Sequence, residues 1–149
     1  RARPLAHRRM SGRPVVAGVY PKKSNGEPEW PVDFRADMIR MDEDGLMEAA
    51  HVATGFLRIN RAVFETFVVN GVAPEYSNNG EAAIRRYFRT EAREGVFWGE
   101  DFQFCEDWLG FGGAVHIIPD LEFQHVGNKT WTGHWGNWFR DYIRNRKEA

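Results

Sequence analysis

Three features of the sequence predict an α/β fold within one domain. Val15-Val16-Ala17-Gly18-Val19-Tyr20 is a continuous apolar, β-branched run, the pattern of a strand buried on both faces. Stretches with helical spacing, at 61–69, 101–110 and 135–146, alternate with short strand-like runs along the chain. The 149 residues, 42% of them hydrophobic, suffice to bury one core and are too few for two ordinary domains.

The elements follow in order. Residues 1–13 carry five arginines and form a basic arm or helix that feeds the first strand. That strand, closed by Pro21, is expected to be central and parallel, and 22–31 is a polar loop rich in Lys, Ser, Gly and Pro. A short strand at 38–41, the turn Asp42-Glu43-Asp44-Gly45 and a returning strand at 46–52 make a hairpin. Asn60 caps a helix over 61–69 that Asn70-Gly71 ends, with Ala62, Val63, Phe67 and, less centrally, Phe64 facing the core. A loop over 72–81 and a strand over 84–90 precede the next helix, 101–110. It has one stripe of Phe102, Cys105 and Leu109 and a second of Phe104, Trp108 and Phe111. Gly112-Gly113 stops it. Strands at 114–118 and 121–125 flank the turn Pro119-Asp120, and a terminal helix over 135–146 turns Trp138, Phe139, Tyr142 and Ile143 inward.

Composition excludes several function classes. Twenty Lys and Arg against 21 Asp and Glu give a net charge of -1, so no overall field holds the protein on nucleic acid or an anionic membrane. No apolar run approaches the roughly 20 residues of a membrane span. The single cysteine, Cys105, excludes an internal disulfide framework and a cysteine-based zinc knot, and it fits a reducing, cytoplasmic location. Zincin, P-loop and nucleophile-elbow motifs are all missing.

Chemistry concentrates at Trp98-Gly99-Glu100-Asp101, where a loop enters a helix. Backbone N–H groups and the helix dipole stabilise carboxylates there, so Glu100 and Asp101 are either helix-start caps or an ionised general base. His125 ends a strand, where ligand sites of open α/β sheets gather, and reads either as a structural histidine or as a metal ligand. Thr54-Gly55 marks a tight bend or a close backbone approach to a ligand. Trp30, Trp98, Trp131 and Trp135 lie in loops or beside Gly, Thr and Asn, positions that suit packing or stacking on a sugar face. His116 reads as a satisfied core or sheet-face histidine, while His51 and His134 have no evident partner.

Taken in chain order, the run Val15 to Lys23, Thr54-Gly55-Phe56-Leu57-Arg58-Ile59-Asn60-Arg61, Gly99-Glu100-Asp101-Phe102, Gly113 to Pro119 and His125-Val126-Gly127 resembles the acceptor-side half of a GT-A-fold glycosyltransferase. Such enzymes, common in bacteria and phages, use nucleotide sugars. The resemblance covers roughly 14–133. It implies the C-terminal portion of a Rossmann-like mixed sheet flanked by helices, and transfer of a sugar to an acceptor hydroxyl with inversion. Asp101 would be the base and Glu100 would orient the acceptor. Thr54, Gly55, Trp98, Gly99 and Trp131 would bind substrate. His125 would complete the coordination of Mn²⁺ or Mg²⁺, the cation that neutralises the diphosphate leaving group.

The family's D-x-D motif is missing. No aspartate precedes Val15, Asp33 and Asp37 are too far apart, and Asp42-Glu43-Asp44 sits in its turn. With Arg1 in place of an initiating methionine, the sequence therefore reads as a fragment lacking the nucleotide-binding half. Its exposed Val15 strand edge is then expected to self-associate or meet a partner chain. Two other readings stand beside this one: a non-catalytic carbohydrate-binding or assembly module, and a metal-dependent hydrolase built on Glu100, Asp101, Asp107 and His125. Asp107 lies six positions beyond Asp101, about 600° around a helix, and so points to another side.

Overall fold

A computed structural model of the chain describes residues 12–35, 39–80 and 82–147. The expected basic arm, 1–13, falls almost wholly outside the described residues, as do Asp37 and Met38. Elements run β1 (Val15–Gly18), β2 (Val32–Asp33), β3 (Met47–Ala49), β4 (His51–Val52), a 3-10 turn (Thr54–Phe56), β5 (Leu57–Ile59) and α1 (Arg61–Val69). Then come β6 (Glu75–Tyr76), β7 (Ile84–Arg85), β8 (Glu91–Arg93), β9 (Val96–Trp98) and α2 (Glu100–Gly110). The chain continues through β10 (Val115–Ile118), β11 (Glu122–Val126), β12 (Thr130–His134) and α3 (Trp135–Lys147).

The central sheet is mixed, in the order β3-β10-β1-β5. β1 and β10 pair in parallel, Val15 opposite Val115, and each carries an antiparallel strand on its outer side. All four residues of β1 and of β10 are buried, as a strand covered on both faces requires. Val15, Ala17, Val115 and Ile117 face α1 and α2, where Val63, Phe67, Phe104 and Cys105 complete the main core and Trp135 of α3 joins it. The opposite face is smaller, built from Val16, Leu46 and Ile118 with Leu121 against them. Each fully buried Val, Leu or Phe contributes on the order of 1.5–3 kcal/mol over its exposed state.

The Val15 strand is therefore not an edge, because β10 and β5 take both of its sides. The edges are β3 and β5. The hairpin expected over 38–52 shrinks to one bridge, Met41 to Met47, since β3 pairs with β10 and β4 with β2. Only Ile84–Arg85 of the expected 84–90 strand forms, and its partner is β6, inside what the sequence presents as loop. The β8–β9 hairpin, which the sequence does not announce, turns on Glu94 (φ 51) and Gly95 (φ 78). Both central residues are left-handed, the geometry of tight two-residue hairpins, though without the usual Asn-Gly or Asp-Gly pair.

Local signals set both main helices. The Asn60 side chain accepts from the Ala62 backbone N–H at 3.1 Å, and Gly71 at φ 71 follows the last turn of α1. Val63 and Phe67, four apart, form its buried stripe, which leaves Ala62 exposed rather than inward. In α2 the buried residues are Gln103, Phe104 and Cys105, whereas Phe111 is exposed. Gln103 is tolerated there because its amide donates to Asp107 at 2.8 Å. On α3 the buried anchor is Trp135; Trp138, Phe139 and Ile143 are half-buried, and Tyr142 is exposed rather than inward.

Candidate functional site

The parallel strands β1 and β10 end side by side, and the chain beyond them builds a cavity of about 280 Å³. Tyr20, Gly55, Phe56, Phe123, Gln124 and His125 line it. Cavities at the carboxyl ends of parallel strands are where open α/β sheets bind ligands. Gly55 sits in the 3-10 turn just before β5. A Cβ added there would lie 2.5 Å from the Tyr20 ring, so only glycine permits this approach.

Tyr20 ties the cavity to α2. Burial pushes its hydroxyl above the usual tyrosine range; a hydrogen bond with the Gly55 backbone partly offsets this, and the negative charge of Asp101 raises it further. The phenol therefore stays neutral near pH 7 and keeps a proton to donate. His125 packs edge-on to Tyr20, with ring centroids 5.5 Å apart. Its Nδ1 lies 3.0 Å from the Pro21 carbonyl, which can only accept. Nδ1 therefore donates to it, and Nε2 is the ring nitrogen not used in that bond.

Asp101 is half-buried and Glu100 exposed, both in the first turn of α2. Asp101 Oδ1 accepts from the Phe102 backbone N–H at 2.9 Å, so the carboxylate does support the helix start. Its remaining lone pairs are free for a substrate proton, so helix support and base chemistry are compatible. Gly99, the N-cap residue, holds no side-chain cap and brings its backbone carbonyl to the Gln103 N–H at 2.9 Å. A Cβ at Gly99 would press to 3.2 Å from Asp101 Oδ1.

Trp131 lies opposite His125 in the β11–β12 ladder, with ring centroids 6.4 Å apart. Its indole N–H donates to the Ser24 carbonyl at 2.7 Å, and Lys129 and Lys23 sit over its ring at 5.0 and 6.0 Å. Lys129 also reaches Asn25 at 2.8 Å. These contacts hold the 22–29 loop against the hairpin. Thr54 is exposed and not part of the cavity lining. Trp98 packs elsewhere, 5.3 Å from the His51 ring and 5.8 Å from the Arg93 guanidinium. Of the residues singled out in the sequence, the fold brings Gly55 and His125 together and sets Asp101 within electrostatic reach. Tyr20, Phe56, Phe123 and Gln124 were missed. For Tyr20 a signal existed, a polar-tipped ring just past a buried strand and before proline.

A second polar cluster surrounds the outer side of α2. Arg89 grips Asp107 with two hydrogen bonds, 2.7 and 3.0 Å, and bonds Glu91 at 2.7 Å. Asp107 fixes Arg89 firmly in its charged form, and Arg93 and then Arg89 hold the Glu91 carboxyl below its usual range. His51, for which the sequence offers no partner, sits between Glu106 at 2.7 Å and Asp33 at 3.2 Å and stacks on Phe102 at 4.9 Å. His134 accepts from the Asn137 backbone N–H. Asp107 is thus engaged by Arg89 and Gln103.

His125 is the residue that the resemblance assigns to a metal ion. Among the described residues no group of three or more His, Cys, Asp and Glu side chains is placed to hold one. Cys105 is buried, with its thiol pushed up to about 12 by burial, and is chemically quiet. His116 is buried on β10, as expected of a core or sheet-face histidine; among the described residues its Nδ1 has no hydrogen-bond partner, and burial lowers its pKa below 6.5 while a backbone hydrogen bond with Val15 partly offsets this. No family model, curated protein or solved structure matches this chain. Among the described residues no helix is long and apolar enough to cross a membrane.

Proposed function

We propose that this chain is the acceptor-side part of a GT-A-type glycosyltransferase that moves a sugar from a nucleoside diphosphate to an acceptor hydroxyl. The observation that carries the reading is the cavity off β1 and β10, where Gly55, Tyr20 and His125 converge and the charge of Asp101 is felt. In the transfer step the acceptor oxygen attacks the anomeric carbon and its proton passes to Asp101. The bond to the departing diphosphate breaks with its electron pair leaving on oxygen, and the configuration inverts. Asp101 suits this role because it lies in the first turn of α2, where a negative charge is favoured, and part of it stays open. Glu100, exposed beside it, orients the acceptor, and the neutral Tyr20 hydroxyl supplies a hydrogen bond. A cytoplasmic location and a carbohydrate acceptor belong to the same reading.

Calorimetric titration of the chain with UDP-, GDP- and dTDP-sugars in the presence of Mn²⁺ tests it. Binding of a donor that weakens in His125→Ala would mean that a nucleotide site survives in this chain. Asp101→Asn should keep that binding and lose transfer to a sugar acceptor by roughly 10²–10⁴-fold, the range of general-base catalysis. Failure of every donor to bind would mean that the chain holds only the acceptor side, and transfer that survives Asp101→Asn overturns the proposal.

A further inference from the structure

A second concave surface lies between α3 and the segment that follows the 22–29 loop. It encloses about 410 Å³ and is walled by Trp30, Phe34, Trp135, Trp138, Phe139 and Tyr142. That volume is within the roughly 300–1,000 Å³ of small-molecule sites. The rings of α3 pair four residues apart as flat parallel faces: Trp135 with Phe139 at 4.7 Å and 13°, and Trp138 with Tyr142 at 5.3 Å and 15°. Trp30 leans on Trp138 at 5.9 Å. Trp135 and Phe34 belong to the core, but Tyr142 stays 39% exposed and Trp138 half open, so part of this aromatic surface faces solvent.

Two further observations bear on what would lie there. Trp30 lines the groove, and among the described residues its buried indole N–H has no hydrogen-bond partner, a donor left without an acceptor. Lys22 and Glu29, both exposed, line the same groove as an ion pair at 3.7 Å, so the rim offers donors and acceptors with no net charge. An anionic ligand gains nothing from a cation already paired, and a purely apolar ligand leaves the Trp30 donor unpaired. A pyranose fits both conditions, since its C–H face lies on indole or phenol rings while its hydroxyls reach N–H, ammonium and carboxylate groups.

We infer that this groove is a binding site for a neutral pyranose unit of an oligosaccharide, distinct from the cavity at Tyr20. The site binds sugar whether or not transfer occurs at Asp101. A sugar held there changes the environment of the Trp30 ring.

The test is calorimetry of the full chain against cellohexaose, chitohexaose and maltohexaose, run beside ¹⁹F NMR of protein carrying 5-fluorotryptophan, with the Trp30 line assigned from Trp30→Phe. One or more hexaoses should bind and shift the Trp30 line. Tyr142→Ala, at an exposed ring, and Trp138→Ala should each weaken binding at least fivefold, and Tyr76→Ala on the distant β6 strand should not. The inference fails if no hexaose binds, if both groove variants bind as the parent does, or if the groove variants abolish concentration-dependent self-association instead. Nucleotide-sugar binding to Trp138→Ala separates this outcome from the transferase reading, because the donor cavity does not include that ring.

Discussion

Two groups of polar side chains flank α2, and they differ in how fully they are paired. On the outer side, Arg89, Asp107, Gln103, Arg93 and Glu91 interlock, and His51 is held by two carboxylates. At the first turn Asp101 makes one backbone hydrogen bond, and His125 on β11 lines the cavity with only its Nδ1 bonded, to the Pro21 carbonyl. The crowded cluster carries more charge, yet its hydrogen-bonding capacity is used internally. Unused capacity facing a cavity, rather than density of titratable groups, separates the candidate site from the brace.

The largest effect should come from breaking the brace. Asp107→Ala leaves the buried Gln103 amide and two of the Arg89 donors without their acceptor, Glu91 remaining to a third, and should cost about 3 kcal/mol in urea denaturation. A loss under about 1 kcal/mol would erase the contrast with Asp101. Gly55→Ala comes next: the new methyl meets the rigid Tyr20 ring, for about 1–3 kcal/mol of overpacking strain and a collapsed cavity. Combining it with Tyr20→Ala should recover much of that stability, and simple additivity of the two changes would show that the clash is not the cause.

A smaller effect follows from His116, whose surroundings include Arg13, Glu48 and Asp42. Its folded-state pKa lies below the unfolded value of 6.5, so the unfolded chain binds more protons between the two. Stability should be full above pH 6.5 and decline as pH falls below it. Parallel melts of His116→Phe should show a flatter acid limb, and identical limbs would remove His116 from the account. Smallest of all, Asp101→Asn should change stability by only about 0.3–1 kcal/mol, the worth of a charge at a helix N-terminus. Its effect on transfer, not on melting, distinguishes it from Asp107.

What the sequence discloses about this molecule is local. Asn60 and Gly71 bound α1 to the residue because a cap and a left-handed stop are made by the residues themselves. The Val15 run is legible as a doubly covered strand because every side chain in it is apolar. Strand partners are not local properties, so the choice of β10 over a hairpin for β3 left no mark near Met47. Strands of two or three residues, such as β6 and β9, are too short to show a period. At the site, Asp101 and His125 stood out by type, whereas the signal at Tyr20, a polar-tipped ring between a buried strand and a proline, gains its meaning only once the fold sets it against Gly55.

The pairing of Val15 with Val115 joins positions 100 residues apart at the centre of the sheet. A contact of that span closes a long loop before it yields any stabilisation, so topology slows the search for the native state. During synthesis β1 emerges well before β10, and until β10 arrives its apolar face and one row of backbone groups have no cover. A nascent chain in that interval is a substrate for chaperones and a seed for aggregation, and its yield in cells should respond to expression rate and temperature more than its final stability suggests.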